Sequence, residues 1–538
     1  MAPGVYKSFR KAIDKNFKKF VEFNKVSLSP LPDEKLNTLA NHITDIIFGE
    51  YDYDILLGEN AVFKDKDTEI NSVMNKIINI SKEDLERECY QAMEGFVHNL
   101  NTLHSRAGGQ VPFSSINLGT DTSNAGRMVI KNLLLAMEAG LGHGETCIFP
   151  IVIFKVKEGV NYNPEDPNYD LLKLSYRVTG KRLFPNYLFL DAPFNLQYYK
   201  PGHPESEVAQ MGCRTRVIGN VYDPTREISY SRGNLSFTTI NLPMLAIEAN
   251  HDEEKFYKLL DKYLELVKKQ LLERFEIQSH LKVKNLPFLM GQGVWLDSEK
   301  LGPEDEVGEV LKHGSLSIGF VGLAEALVAL YGHHHGEGQE YWDKGYAIVK
   351  HMREYTDKVA SETHLNFSVL ATPAEGLCGS ALRKCRAKYG VIEGVTDRDY
   401  FTNSNHIPVY YNITAYDKIR LEAPFHELTN AGHIAYIEID GDAASNVKAI
   451  EAIVKCMHDQ GVGYGAINHP VDRDPVCGYT GVIGDTCPYC GRKEKDGIKF
   501  DRIRRVTGYL SGTLDTFNDA KRAEEKDRVK HGARFPEE

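Results

Sequence analysis

The sequence lacks long hydrophobic runs and an excess of positive charge. None of its apolar stretches approaches the roughly eighteen residues of a membrane span, and the N-terminus has no signal-peptide hydrophobic core. A formal net charge of −11 argues against a protein that coats nucleic acid. We therefore expect a cytoplasmic protein with no membrane segment and no direct nucleic-acid partner.

The cysteines are too scattered for the disulfide framework of a secreted protein. The nine cysteines are odd in number, which favours free thiols and metal ligands over the paired cysteines of a secreted protein. No iron–sulfur motif is present. Three of the nine cluster near the C-terminus, at positions 477, 487 and 490.

The 538 residues, 42% of them hydrophobic, are enough for one large body with a sizeable core and a small C-terminal module. Continuous apolar runs at 147–154, 187–190 and 434–439 predict buried strands. Helical periodicity predicts an amphipathic helix carrying Phe9, Ile13 and Phe17, and another from about Asp252 to Phe275. Ser81 to Asp84 reads as a capping box that opens a further helix. The predicted class is α/β.

The stretch from Arg504 to Leu510 places Gly508 between β-forming residues. Such a glycine is most often a bulge or a close approach of backbones. Because glycine has no Cβ, loss of one Cα hydrogen can also leave a planar radical, delocalised over the adjacent amide groups. Gly508 is thus a candidate for storing an unpaired electron.

The segment from Arg502 to His531 closely resembles the glycyl-radical end of anaerobic (class III) ribonucleotide reductases. The resemblance extends over essentially the whole chain. It implies a ten-stranded α/β barrel of the glycyl-radical and ribonucleotide-reductase type, with a C-terminal zinc-ribbon module. It also implies reduction of ribonucleoside triphosphates to 2′-deoxyribonucleoside triphosphates for DNA precursor synthesis.

Met211 to Asn220 contains Cys213 in a hairpin-like segment flanked by glycines and charge. A lone cysteine is more often structural than catalytic, so the residue types alone decide little. The segment resembles the family's finger loop, in which the glycyl radical draws a hydrogen atom from a thiol and the thiyl radical then abstracts the 3′ hydrogen of the ribose. The resemblance therefore makes Cys213 and Gly508 the catalytic pair, with Asn234 as a catalytic amide near the sugar. From the residues alone, Asn234 is equally well explained as a turn asparagine after a glycine.

Two further segments are candidates for substrate binding. Ser114 and Ser115 follow Gly108 to Phe113, and their hydroxyls either cap a helix or contact ribose and phosphate oxygens. The run Thr372, Pro373, Ala374, Glu375 and Gly376 precedes helical sequence, so either its amides bind an anion at a helix N-terminus or its proline and glycine simply form a loop. In the resembled family these segments line the substrate site, and the second holds the nucleotide phosphates.

Cys477, Cys487 and Cys490 have the spacing of a zinc ribbon that lacks one ligand. The complete pattern would have a cysteine at 474, where this chain has Asp474. The alternatives are a three-thiolate zinc site completed by Asp474 or His469, a weakened site, no metal, or a redox pair formed by Cys487 and Cys490. We expect zinc, in a structural role that supports the segment carrying Gly508.

The resulting prediction divides the chain into a partial catalytic barrel (1–460), a zinc-ribbon-like module (461–500) and a glycyl radical segment (501–538). Met1 resembles an internal point of the family, so we expect that an N-terminal portion is missing and that the isolated chain is inactive. The resemblance further implies a radical-SAM activase, ATP and deoxynucleotide effectors, and a homodimer.

Alternatives to this function are a lyase-type glycyl radical enzyme or an inactive nucleotide- and zinc-binding derivative. The electron donor, formate or a thiol protein, stays open.

Overall fold

The computed structural model describes residues 1–26, 30–49, 51–104, 111–494, 497–508 and 510–532. They form two compact units. The first comprises residues 1–112, 118–149 and 158–178, and the second comprises 113–117, 150–157 and 179–538. No helix within the described ranges is both long and apolar enough to cross a membrane.

The first unit is helical. Its core consists of apolar side chains from packed helices, and Phe9, Ile13 and Met74 are fully buried in it. Asn16 donates to the Ser81 hydroxyl at 3.1 Å, which satisfies a polar pair inside this core. The helices are α1 (Ala2–Val26), α2 (Asp33–Phe48), α3 (Tyr53–Leu57), α4 (Thr68–Thr102) and α5 (Asn124–Ala139); α6 (Tyr169–Arg182) ends in the second unit.

The second unit contains most of the strands. Its strands are β1 (Ser115–Leu118), β2 (Ile151–Val156), β3 (Asn186–Phe189), β4 (Gln210–Met211), β5 (Thr215–Arg216), β6 (Asn234–Asn241), β7 (Ser315–Val321), β8 (Asn366–Ala371), β9 (Ala435–Glu438), β10 (Tyr464–Asn468), β11 (Val471–Arg473), β12 (Thr480–Gly481), β13 (Asp501–Arg505) and β14 (Leu510–Ser511). Its helices are α7 (Pro193–Leu196), α8 (Leu242–Ala249), α9 (Glu253–Ser279), α10 (Gly308–Leu311), α11 (Leu323–Tyr331), α12 (Gln339–Thr363), α13 (Leu377–Tyr389), α14 (Ala415–Glu422), α15 (Pro424–Leu428), α16 (Val447–Asp459) and α17 (Asp519–Asp527).

Two sheets form the body of the second unit. One has the order β1-β2-β3-β10-β9, with β2 parallel to β3, β3 antiparallel to β10 and β10 parallel to β9. The other is the parallel sheet β6-β7-β8, which shares a core with α8, α9, α11 and α12. Residues 315–321 and 366–371 are buried throughout, as expected for parallel strands covered on both faces.

Two smaller sheets carry the candidate site. β4 and β5 form an antiparallel hairpin, and β12-β11-β13-β14 form an antiparallel sheet near the C-terminus. Both β4–β5 and β13–β14 are joined by short turns. A reactive residue at the tip of either hairpin is therefore held by strand pairing on both sides.

The predicted α/β class and the helices at Phe9 and after Asp252 are confirmed. The helix predicted to open at Ser81 is wrong in its start, because α4 runs through Ser81 from an N-cap at Asp67, whose side chain accepts from the Glu69 and Ile70 amides. The described strand pairings give four sheets and do not by themselves close a ten-stranded barrel.

Candidate functional site

Cys213 lies at the tip of the β4–β5 hairpin. Gly212 has a φ of +59°, a left-handed conformation that favours glycine, and its amide donates to the Ser115 hydroxyl at 3.1 Å. Ser115, predicted as a substrate contact, thus supports the finger loop. Ser114 lies beside it, and its carbonyl accepts from the Ile151 amide.

Arg214 anchors the same hairpin. Its guanidinium is fully buried and donates to the Ala371 carbonyl and the Asn403 side chain at 3.0 Å each, and to the Tyr436 hydroxyl at 3.3 Å. Gly432 packs against the Arg214 backbone so closely that a Cβ there would overlap the Arg214 carbonyl oxygen. These contacts hold the finger loop against the end of β8.

Gly508 lies in the turn between β13 and β14, where Arg505 is paired with Leu510. The buried Arg505 guanidinium donates to the Gly508 carbonyl at 3.0 Å, and also to the Leu183 carbonyl and the Asn468 side chain. A charge-assisted hydrogen bond therefore ends on the carbonyl over which a radical at Gly508 would be delocalised. Tyr509 lies outside the described residues.

The two hairpin tips meet. A Cβ built on Gly508 would overlap the Cα and Cβ atoms of Cys213 and would lie 2.5 Å from its carbonyl oxygen. Real Cβ atoms essentially never come within 3.0 Å of another heavy atom, so only glycine fits against Cys213. The sequence predicts a close backbone approach as one explanation of Gly508. The residue that Gly508 approaches is Cys213, whose thiol is the predicted hydrogen donor.

Burial raises the pKa of the Cys213 thiol, Arg214 opposes that shift, and the Glu375 charge adds to it. The thiol is therefore favoured over the thiolate. A hydrogen atom can be donated only by the S–H form, so this electrostatic setting suits hydrogen-atom transfer better than nucleophilic attack.

The loop Thr372 to Gly376 connects β8 with α13 and reaches the same place. The Glu375 carboxylate accepts from the Thr507 hydroxyl at 3.1 Å, next to Gly508. Ala374 has a φ of +51°, and Gly376 is exposed at the start of α13 with open space where a Cβ would lie. The hydroxyl of Thr372 is buried and pairs with Thr239 at 3.0 Å.

Asn234, at the start of β6, borders a cavity of about 370 Å³. Thr215 of the β4–β5 hairpin, called the finger hairpin below, and Pro373 of the loop Thr372 to Gly376 line the same cavity. The Asn234 amide donates to the hydroxyls of Ser315 and Ser317. The predicted catalytic amide thus lies between the finger hairpin and the predicted phosphate loop.

A second constellation follows β11. One ligand atom from each of four side chains lies within 4.8 Å of the others: Asp474, Cys477, Cys487 and Cys490. The sulfurs of Cys477 and Cys487 are 3.7 Å apart, close to the ~3.8 Å that tetrahedral coordination with ~2.3 Å zinc–sulfur bonds requires. The donor set therefore fits a tetrahedral metal ion.

Asp474 occupies the fourth corner of this cluster. Its Oδ2 lies 3.3 Å from the Cys490 sulfur, while its Oδ1 accepts from the Arg492 guanidinium at 2.8 Å. His469, the other candidate ligand, instead bonds the Thr179 and Pro470 carbonyls and is not part of the cluster.

Comparison with known proteins identifies a family for the chain. The sequence profile of anaerobic ribonucleoside-triphosphate reductases matches residues 11–531. The chain belongs to this family. It is 36% identical over 456 residues to the anaerobic ribonucleoside-triphosphate reductase of Escherichia coli (strain K12), covering 83% of this chain and 62% of that relative. The reductase of Enterobacteria phage T4 is 34% identical over 467 residues, or 84% of this chain and 74% of the relative.

Solved structures of the same family share the fold. The anaerobic ribonucleotide reductase from Thermotoga maritima with glycerol in the active site aligns with a TM-score of 0.60 at 20% identity, covering 82% of this chain and 70% of that one. The same enzyme in complex with dATP and CTP aligns with a TM-score of 0.57 at 18% identity, covering 82% and 69%.

Several residues that position the candidate site escaped prediction from the sequence. Arg214, Arg505, Thr507 and Gly432 were not singled out, because their roles depend on contacts with distant segments. The charged run from Lys521 to His531 would ordinarily form a solvated surface, yet Lys521 and Glu524 are buried as an ion pair and His531 accepts from the Glu438 amide. The predicted positions Gly108 to Gln110 lie outside the described residues.

Proposed function

We propose that this chain carries the radical chemistry of an anaerobic ribonucleoside-triphosphate reductase, replacing the ribose 2′ hydroxyl of a triphosphate with hydrogen. The observation that carries the proposal is the contact between Gly508 and Cys213 in a member of this family. The chain spans 62% of the length of the Escherichia coli relative, and the whole enzyme's activity is included in the proposal.

In the proposed mechanism the Gly508 radical takes the hydrogen atom from the Cys213 thiol, leaving Gly508 closed-shell and a thiyl radical on sulfur. The thiyl radical then removes a hydrogen atom from the ribose of a substrate held in the cavity beside Asn234. The Thr372 to Gly376 loop and the serines Ser114 and Ser115 are the proposed substrate contacts. Arg214 and Arg505, which anchor the two hairpins, are buried.

The larger architecture is also part of this proposal. The ten-stranded barrel would be assembled around the finger hairpin, with functional segments divided at 1–460, 461–500 and 501–538. Relatives crystallised with dATP and CTP support nucleotide effectors and substrates. A radical-SAM activase would generate the radical, and a homodimer would be the assembled form.

Zinc is the proposed ion of the cysteine cluster. Cys477, Cys487, Cys490 and Asp474 would hold it, and Arg492 would orient the Asp474 carboxylate. When bound, the ion supplies structural cross-linking and no substrate chemistry. Because β11 precedes the cluster and pairs with β13, the cluster supports the sheet from which Gly508 projects.

A lyase-type glycyl radical enzyme is the second candidate. Such lyases use two adjacent finger-loop cysteines, whereas Cys213 lies between Gly212 and Arg214. The third candidate, an inactive binding derivative, would form no radical.

The test is electron paramagnetic resonance after anaerobic incubation with a radical-SAM activase. A doublet is expected from the single remaining α-hydrogen of Gly508, and it should collapse in protein grown with α-deuterated glycine. Deoxynucleotide formation from a ribonucleoside triphosphate is then measured with formate and with a dithiol as alternative reductants, and product formed by this chain alone would contradict the inactivity expected of the isolated chain. If the deuterated protein still gave the doublet of the unlabelled protein, the radical would lie on another residue and its assignment to Gly508 would be wrong.

A further inference from the structure

The loop Thr372 to Gly376 is bonded to both hairpins that carry the radical pair. Arg214, next to Cys213, donates to the Ala371 carbonyl at 3.0 Å and lies within 3.4 Å of the Thr372 carbonyl. Thr507, next to Gly508, donates to the Glu375 carboxylate at 3.1 Å. Displacement of this loop would therefore act on both partners of the hydrogen-atom transfer.

The C-terminal segment fixes the backbone of Glu375. Its carbonyl accepts from the Asn518 side chain at 3.0 Å, and Asn518 also caps α17. α17 packs on α13, where a Cβ on Gly379 would lie 2.5 Å from the Ala520 Cβ. The backbone of Glu375 is thus fixed, whereas its side chain is half-buried and points to Thr507.

The position of this carboxylate is unusual for an anion-binding loop. The N-terminus of α13 attracts anions, and no atom beyond the adjacent residues lies within 4 Å of a Cβ built on Gly376, the residue that precedes the helix. A triphosphate bound there would repel the Glu375 carboxylate. The carboxylate would then be pressed away from the ligand and toward Thr507.

We propose that Glu375 is a positioning residue that couples the occupancy of the phosphate loop to the radical pair: a bound polyphosphate tightens the bond between Glu375 and Thr507, and this makes hydrogen-atom transfer between Gly508 and Cys213 faster. This inference rests on the proposed function. Glu375 repels the ligand's charge, Thr507 transmits the change, and neither residue exchanges a hydrogen atom with substrate.

The test follows radical exchange in heavy water with inorganic triphosphate as the probe, because this anion offers no carbon-bound hydrogen. In D₂O the Cys213 thiol becomes S–D. The Gly508 radical takes deuterium from it, forming a CHD centre and a thiyl radical. When the thiyl radical then takes back the hydrogen, the α-carbon retains deuterium and the doublet collapses.

In the activated wild-type chain, triphosphate should accelerate this collapse by about tenfold, the factor that one well-formed hydrogen bond can supply. Thr507→Val removes the hydroxyl at nearly constant shape and should reduce the acceleration to less than about twofold. Thr507→Ser keeps the hydroxyl and should restore it. Glu375→Gln keeps an acceptor without the charge and should also lose the response.

Radical yield after activation serves as the folding control, since each variant must still be recognised by the activase. A full response to triphosphate in either Thr507→Val or Glu375→Gln would overturn the inference, as would a wild-type doublet whose collapse ignores triphosphate. Absence of any doublet in the wild-type chain would overturn the proposed function itself.

Discussion

The junction of Cys213 with Gly508 and the cluster of Cys477, Cys487 and Cys490 both bring reactive groups together, but they are built differently. The cluster draws its groups from a segment of seventeen residues, 474–490, and its Cys490 is exposed. The junction joins residues 295 positions apart at two hairpin tips, and Arg214 and Arg505 around it are buried.

This difference follows from the chemistry that each place suits. A structural metal ion holds its ligands by strong bonds, so tight turns and correct spacing are sufficient. A glycyl radical and the thiol that donates a hydrogen atom to it have no such bond to hold them together. Its alignment must come from the surrounding backbone contacts, charge-assisted hydrogen bonds and exclusion of water.

The largest effect is expected at the junction. Cys213→Ser should leave the glycyl radical signal intact but reduce deoxynucleotide formation by roughly 10³-fold or more, because the O–H bond is too strong for a glycyl radical to break readily. Electron paramagnetic resonance and product chromatography measure the two quantities on one sample. Cys456→Ser, a buried cysteine in α16, is the matched control and should retain both. Appreciable product from Cys213→Ser would remove Cys213 from the mechanism.

At the cluster, Cys487→Ser should lower zinc affinity by at least about 100-fold, because it removes a buried thiolate ligand. Chelator competition and metal analysis give the affinity. Asp474→Cys should bind zinc at least as tightly as the wild type, since it restores a four-thiolate set. Unchanged zinc content in Cys487→Ser, with a two-dalton mass increase on reduction of the wild type, would favour the redox alternative.

The same contrast explains what could be predicted from the sequence. The spacing of Cys477, Cys487 and Cys490 is local, so it indicated the metal cluster directly, and the structure added only the choice of Asp474 over His469. Periodicity likewise predicted the helices at Phe9 and after Asp252.

The junction could not be predicted in that way. Cys213 and Gly508 were connected only through resemblance to a family, since nothing in either segment specifies its partner. The supports were missed for the same reason. Arginine is usually a surface residue, so the sequence gives no sign that Arg214 is buried. Its anchoring role depends on hydrogen-bond acceptors that the fold brings from positions 371, 403 and 436.

Arg505 tests how far the junction depends on its buried charge. Arg505→Gln should lower the free energy of unfolding by roughly 2–4 kcal/mol, because three buried acceptors lose a charged donor. Arg522→Gln, which breaks an exposed pair with Asp519 in the same segment, should change it by less than about 1 kcal/mol. Urea unfolding measures both. Equal effects would show that the buried guanidinium contributes no more than a surface ion pair.

The smallest effect concerns pH. Burial raises the pKa of the Cys213 thiol, so the hydrogen-donating S–H form should persist above the value of about 8.5 for a free cysteine. The radical exchange rate in D₂O should therefore stay level through this pH and fall only at more alkaline pH, as the thiol finally ionises. The negative charge of Glu375 contributes to the raised pKa, so Glu375→Gln should move the alkaline limb to lower pH, by less than about one unit. Exchange measured without triphosphate separates this shift from the loss of the triphosphate response. If the exchange rate of the wild type already fell at or below about pH 8.5, water would reach the thiol. The junction would then be as solvated as the exposed Cys490 of the metal cluster.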